Sequence, residues 1–136
     1  MKCIYYDSLS GAIVDIVDAL EYRYEIEMTK FFINIGLRRE DTHMPGLSWN
    51  GKQVDKICRH LDKLADIVSG TPFDISIPYI ETCMDLYRMS TSKVVNSKSY
   101  KDLIQKFREQ FDCLRKMHVV NMTPKIHKIY GKFTFL

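Results

Sequence analysis

Eight apolar or aromatic residues between Ile13 and Ile35 recur at steps of mostly three and four: Ile13, Ile16, Val17, Leu20, Tyr24, Met28, Phe31 and Ile35. An α-helix gathers such positions on one face, whereas a strand, with its period of two, scatters them to both. The same spacing returns in Val54, Ile57, Cys58, Leu61, Leu64, Ala65 and Val68. It returns again in Ile80, Cys83, Met84 and Tyr87, and in Leu103, Phe107, Gln110, Phe111, Leu114 and His118. The pattern predicts an all-α fold, a compact bundle of four to five helices.

Local signals place the ends. Asp7 or Ser8 is expected to cap the first helix, and Gly36 with Arg38 and Arg39 to close it; its length predicts a break between Tyr22 and Glu27. Asn50 is expected to cap the second helix, and Gly70 and Pro72 to stop it. "TPFDISIP" reads as a short extended link in which Phe73, Ile75 and Ile77 alternate. Ser76 or Ile77 opens the third helix with Pro78 in its first turn. Ser99 with Asp102 reads as a capping box for the fourth. Thr123 caps a short last helix, Pro124 takes its first position, and Gly131 ends it.

The chain has 136 residues, enough for one domain spanning 1–136 with a basic segment at 119–136. Apolar residues make up 46% and charged residues 27%, which suits a globular core. No apolar run is long enough to cross a membrane, and Asp7, Asp15 and Asp18 interrupt the N-terminal apolar stretch, against a signal peptide. The expected location is intracellular, nuclear or cytoplasmic. Cys3, Cys58, Cys83 and Cys113 form no paired motif; the last three fall where helix core residues should and are read as small buried thiols, not a disulfide framework.

Charge is unevenly placed. Residues 1–92 carry ten Lys/Arg against fourteen Asp/Glu; residues 93–136 carry ten against three. A basic C-terminal third meets an acidic partner, either nucleic acid or the chain's own acidic half. Within it, Lys125, His127, Lys128, Tyr130 and Lys132 interleave cations with an aromatic ring, the pattern of phosphate contact with base stacking. The alternative is that Ile126, Ile129, Tyr130 and Phe133 dock on the core while the lysines stay solvated. Trp49, the only tryptophan, is a candidate anchor on a partner loop, or a staple packed on the start of the second helix.

Enzymatic signatures are missing. There is no nucleophile elbow and no phosphate-binding glycine loop. Asp62 and Asp66 lie four apart beside Lys63, a solvated helix face. Cys113, His118 and His127 supply three ligands where a closed zinc site needs four, and their spacing fits no finger. No metal and no cofactor is expected.

Two stretches carry a family likeness. "HMPGLSWNGKQVDKICRHLDKL" and "YKDLIQKFREQFDCLRKMHVVNMTPKIHKI" hold an aromatic-Asn-Gly element (Trp49 to Gly51) and a Thr-Pro-Lys-x-His element (Thr123 to His127). In this order and spacing they resemble uncharacterised, transposase-like proteins encoded by invertebrate transposable elements, over about residues 40–130. That resemblance implies a relative of enzymes with an RNase H-like core, whose late acidic residue binds a catalytic metal. After His127 this sequence runs "KIYGKFTFL", without the carboxylate-bearing stretch, so catalysis is expected to be absent. The expected function is a non-enzymatic, transposon-derived helical module that binds a protein or nucleic-acid partner, with self-association left open. The alternative is a viral or host-manipulating adaptor with a Bcl-2-like groove for a partner helix.

Overall fold

A computed structural model describes residues 6–37, 49–91 and 97–131. Among them run seven α-helices and a 3-10 turn, with no strand: α1 (Tyr6–Arg23), α2 (Glu25–Asn34), α3 (Gly51–Cys58), α4 (Leu61–Val68), the turn Pro72–Ile75, α5 (Ser76–Thr91), α6 (Ser97–Lys116) and α7 (Pro124–Tyr130). The all-α expectation holds, with more helices than the four to five expected.

The extra helices come from two breaks of the same kind. Tyr24 (φ −124°, ψ 51°) separates α1 from α2, inside the interval anticipated. His60 (φ −123°, ψ 35°) separates α3 from α4, which the sequence predicted as one helix. Neither break contains Gly or Pro, and around both the backbone hydrogen bonds continue: Tyr24 N–H to the Leu20 carbonyl at 2.8 Å, Leu64 N–H to the His60 carbonyl at 3.2 Å. At the first break the Tyr24 ring meets Phe73 edge-on at 6.1 Å, and the Arg23 guanidinium lies over the same ring at 4.5 Å. That contact ties the bend to the 3-10 turn, which replaces the extended link expected there.

α1 is the centre of the fold. Ala12, Ile16, Val17 and Leu20 have no exposed surface, and the helix packs against α5 and α7. α6 lies along α5, joined by a run of rings: Tyr79 stacks on Phe107 at 5.4 Å, and Phe107 on Phe111 at 6.0 Å. Some positions differ from the sequence reading. Ser8 is buried within α1, which begins at Tyr6, and Ser99 lies inside α6 rather than at its cap. Cys113 is exposed, and Tyr87 keeps 39% of its surface.

Two helices end on the same hydrogen-bond pattern with different residues. After α2, Gly36 (φ +79°) donates to the Ile33 carbonyl and Leu37 to that of Phe32; after α6, His118 (φ +59°) donates to Arg115 and Val119 to Leu114. Both are Schellman closures, and the residue following each left-handed position (Leu37, Val119) is buried. Glycine takes that conformation freely; a side chain there is strained by roughly 1–2 kcal/mol. His118 is exposed, so its imidazole contributes no buried contact. His118→Gly is expected to raise stability by about 0.5–1 kcal/mol, after the entropy glycine adds to the unfolded chain. A urea titration that shows His118→Gly at or below wild type would refute the strain.

Candidate functional site

The closing helix forms as its sequence dictates. Thr123 sits in extended backbone and its hydroxyl accepts from Ile126 N–H at 3.2 Å, while Pro124 occupies the first turn. Ile126 and Ile129 are buried against the core. Lys125, His127 and Lys128 are exposed; Lys132 lies outside the described residues. Lys125 leans along α1, its stem near Gly11 and its charge acting on Asp15. The Asp15 carboxyl is raised above its ordinary range by desolvation and by Asp18, and Lys125 opposes that rise. Part of the basic segment therefore faces the chain's own acidic half.

Tyr130 is latched rather than presented. Its hydroxyl donates to both Asp112 oxygens at 3.0 Å, and its ring meets Phe111 edge-on at 5.9 Å. Arg108 lies over the same ring at 5.2 Å and donates from Nε to the Tyr130 carbonyl. Of the two readings of Tyr130, these contacts suit the docked one: Arg108 covers a ring face and the hydroxyl is engaged. The cations left exposed here include Lys101, Lys106, Arg115 and Lys116 on α6 and Lys125 and Lys128 on α7.

Of its two readings, Trp49 takes the packed one. As a partner-loop anchor it would need an open ring, but it is 3% exposed and 4.8 Å from the Phe32 ring. The cause is local. Asn50 Oδ1 accepts from Gln53 N–H at 3.0 Å, and Asn50 N–H donates to Gln53 Oε1 at 2.8 Å. That reciprocal cap fixes the entry of α3, and the residue before it turns inward.

The face that does stand open was not singled out from the sequence. Tyr22 is 90% exposed, Ile26 68% and Ile33 65%. With Thr29, whose hydroxyl is satisfied by the Glu25 carbonyl at 2.7 Å, they follow a four-three-four spacing. That is the spacing of a coiled-coil seam. The signal was present as a second apolar stripe on the helices whose first stripe builds the core.

A cavity of about 180 Å³ lies between α1, α3 and α5, lined by Leu9, Ile13, Val54, Cys58, Cys83 and Met84 among others. Burial pushes the Cys58 thiol up to about 11, with Asp55 adding to the rise, and burial pushes Cys83 higher still. Both therefore stay protonated near neutral pH and are poor nucleophiles. Among the described residues no cluster of three or more His, Cys, Asp or Glu is placed to hold a metal ion, and no helix is long and apolar enough to cross a membrane. Comparison with protein-family models, with curated proteins and with solved structures returns no match.

Proposed function

We propose that this chain is a non-enzymatic helical module that binds a protein partner inside the cell, in the nucleus or cytoplasm, through the stripe Tyr22, Ile26, Thr29 and Ile33. One observation carries the reading: Ile26 and Ile33, in register on α2, and Tyr22 just across the Tyr24 bend are left 65–90% exposed, while the core stripes of the described helices are buried. Large apolar residues gathered in the open are characteristic of interaction surfaces. The complementary ligand is an amphipathic helix laid along α2. A groove of the kind used by helical immune modulators must seat several anchors of a partner helix. The 180 Å³ cavity has room for about one large side chain, and a wider one of about 610 Å³ between α1, α7 and the start of α3 is lined in part by Ser10, Asp15, Thr123 and Lys125; neither offers the run of apolar sites that a partner helix needs, which favours the stripe.

Ile26→Asp and Ile33→Asp test this. Both sites are exposed, so the melting temperature is expected to move little. Proteins captured by the full chain from its native cells are expected to be lost at least tenfold, because an interfacial anchor contributes roughly 2 kcal/mol. Capture unchanged in both variants refutes the stripe.

A second reading has its own support. The exposed cations Lys101, Arg115 and Lys128 belong to a region, residues 97–131, that holds eight Lys/Arg against three Asp/Glu. That charge suits the phosphates of a nucleic acid, bound without sequence preference. Mobility shifts that weaken steeply with salt, and that Lys101→Glu with Arg115→Glu abolishes, would establish it; a flat salt response would remove it. Origin from a transposable element rests on the two matched sequence stretches. It is tested by whether an open reading frame flanked by terminal repeats surrounds the gene.

A further inference from the structure

Coiled-coil seams are selected by the charges beside them as well as by their apolar residues. With Tyr22, Ile26, Thr29 and Ile33 as the seam, the residues flanking it on α2 are Glu25 on one side and Lys30 on the other. Both are exposed, and neither makes an ion pair among the described residues. They stand five apart, out of register for a bond within one helix, where partners sit three or four apart. Five is the offset at which flanking residues of two parallel helices meet across a coiled-coil seam.

We propose that α2 is a self-association seam: two copies of this chain pair in parallel along it, with Ile26, Thr29 and Ile33 facing their counterparts and Glu25 of each copy beside Lys30 of the other. The proposal rests on the stripe being a docking surface, and it names a second copy as an occupant. The charges choose the direction. In an antiparallel pair like flanks meet, Glu25 against Glu25 and Lys30 against Lys30, which repels; in the parallel pair both contacts are opposite in sign. The neighbouring cation Arg23 is engaged over Phe73 and leaves the pairing to Glu25 and Lys30. α2 has ten residues, about 15 Å of helix, so the seam is short. An interface of that length falls in the small class, below about 1,200 Å², and the expected dimer is weak, with a dissociation constant on the order of 100 µM.

Sedimentation equilibrium of the full chain from about 10 µM to 1 mM reads the state directly. Wild type is expected to shift from monomer to dimer across that range, and Ile26→Asp to stay monomeric. Glu25→Lys and Lys30→Glu alone are each expected to weaken the dimer about tenfold, and the double exchange to restore it. Raising salt to about 1 M is expected to shrink the charge-variant differences while leaving the dimer of wild type in place. A wild-type chain that is monomeric at every concentration overturns the proposal. So does a dimer indifferent to Ile26→Asp, or one that the double exchange fails to rescue. Loss of self-association as the only failure, with partner capture still abolished by Ile26→Asp, leaves the protein-binding function standing and removes the second copy as occupant.

Discussion

Phe107→Ala is expected to lower stability by about 3–5 kcal/mol, a large part of the roughly 5–15 kcal/mol that holds a domain folded. Phe107 has no exposed surface and stands between the Tyr79 ring on α5 and the Phe111 ring one turn further along α6. Truncation removes the middle of that stack. The cost of a vacancy depends on how far its walls relax, and here the walls are aromatic rings on two long helices, which have little freedom to close in. Leu114 and Ile104, also fully or nearly fully buried, hold α6 in place around it. Phe107→Leu retains most of the volume and is expected to cost no more than about 1.5 kcal/mol. Urea titrations check both: the midpoint falls for Phe107→Ala with an unchanged slope. A loss below about 1.5 kcal/mol for Phe107→Ala would show that α6 does not pack on α5 through this stack.

The parts of the fold legible in the sequence are those decided within one turn of the chain. Thr123 and Pro124 start α7 as read, because a side-chain cap and a fixed φ need nothing from elsewhere. Asn50 and Gln53 cap each other for the same reason, and the inward turn of Trp49 follows from them. The breaks at Tyr24 and His60 differ in kind. Each inserts one bent residue while apolar spacing and backbone hydrogen bonds carry on across it, so periodicity alone marks the helices without marking the second bend. The alternation of Phe73, Ile75 and Ile77 suggested extended chain. It comes instead from a 3-10 turn running into α5, where these side chains are half-buried and Phe73 meets the Tyr24 ring at the α1–α2 bend. Cys113 and Tyr87 show the limit of assigning one inward face to a helix: how wide that face is depends on which neighbours arrive. The Tyr22–Ile33 stripe shows the converse, since a second apolar face is visible in the spacing but only the fold reveals that it stays open.

Tyr130→Ala is expected to release α7 and to cost about 3 kcal/mol, while Tyr130→Phe costs about 1–2 kcal/mol, the lower end for a hydrogen bond to a charged group because the site is only half-buried. The difference separates the ring, on Phe111 and under Arg108, from the hydroxyl on Asp112. Amide hydrogen exchange of Ile126 to Tyr130 reads the release locally, with Tyr130→Ala exchanging fastest. The hydroxyl also has a pH signature. Its hydrogen bond to Asp112, with desolvation second, raises the Tyr130 pKa above its ordinary 10. The folded chain therefore keeps this proton at a pH where the unfolded chain has released it. The stabilisation is complete below pH 10, the unfolded value, and is lost as pH climbs through the higher folded value. Tyr130→Phe is expected to lack that part of the alkaline decline. These outcomes bear on function as well as stability. A tyrosine held for stacking on a base would be dispensable to the free fold, so its removal would leave exchange and urea midpoint untouched and weaken only nucleic-acid binding. If removal instead loosens α7, the ring is a fastener, and what the basic region offers a polyanion is the charge of Lys101, Arg115 and Lys128.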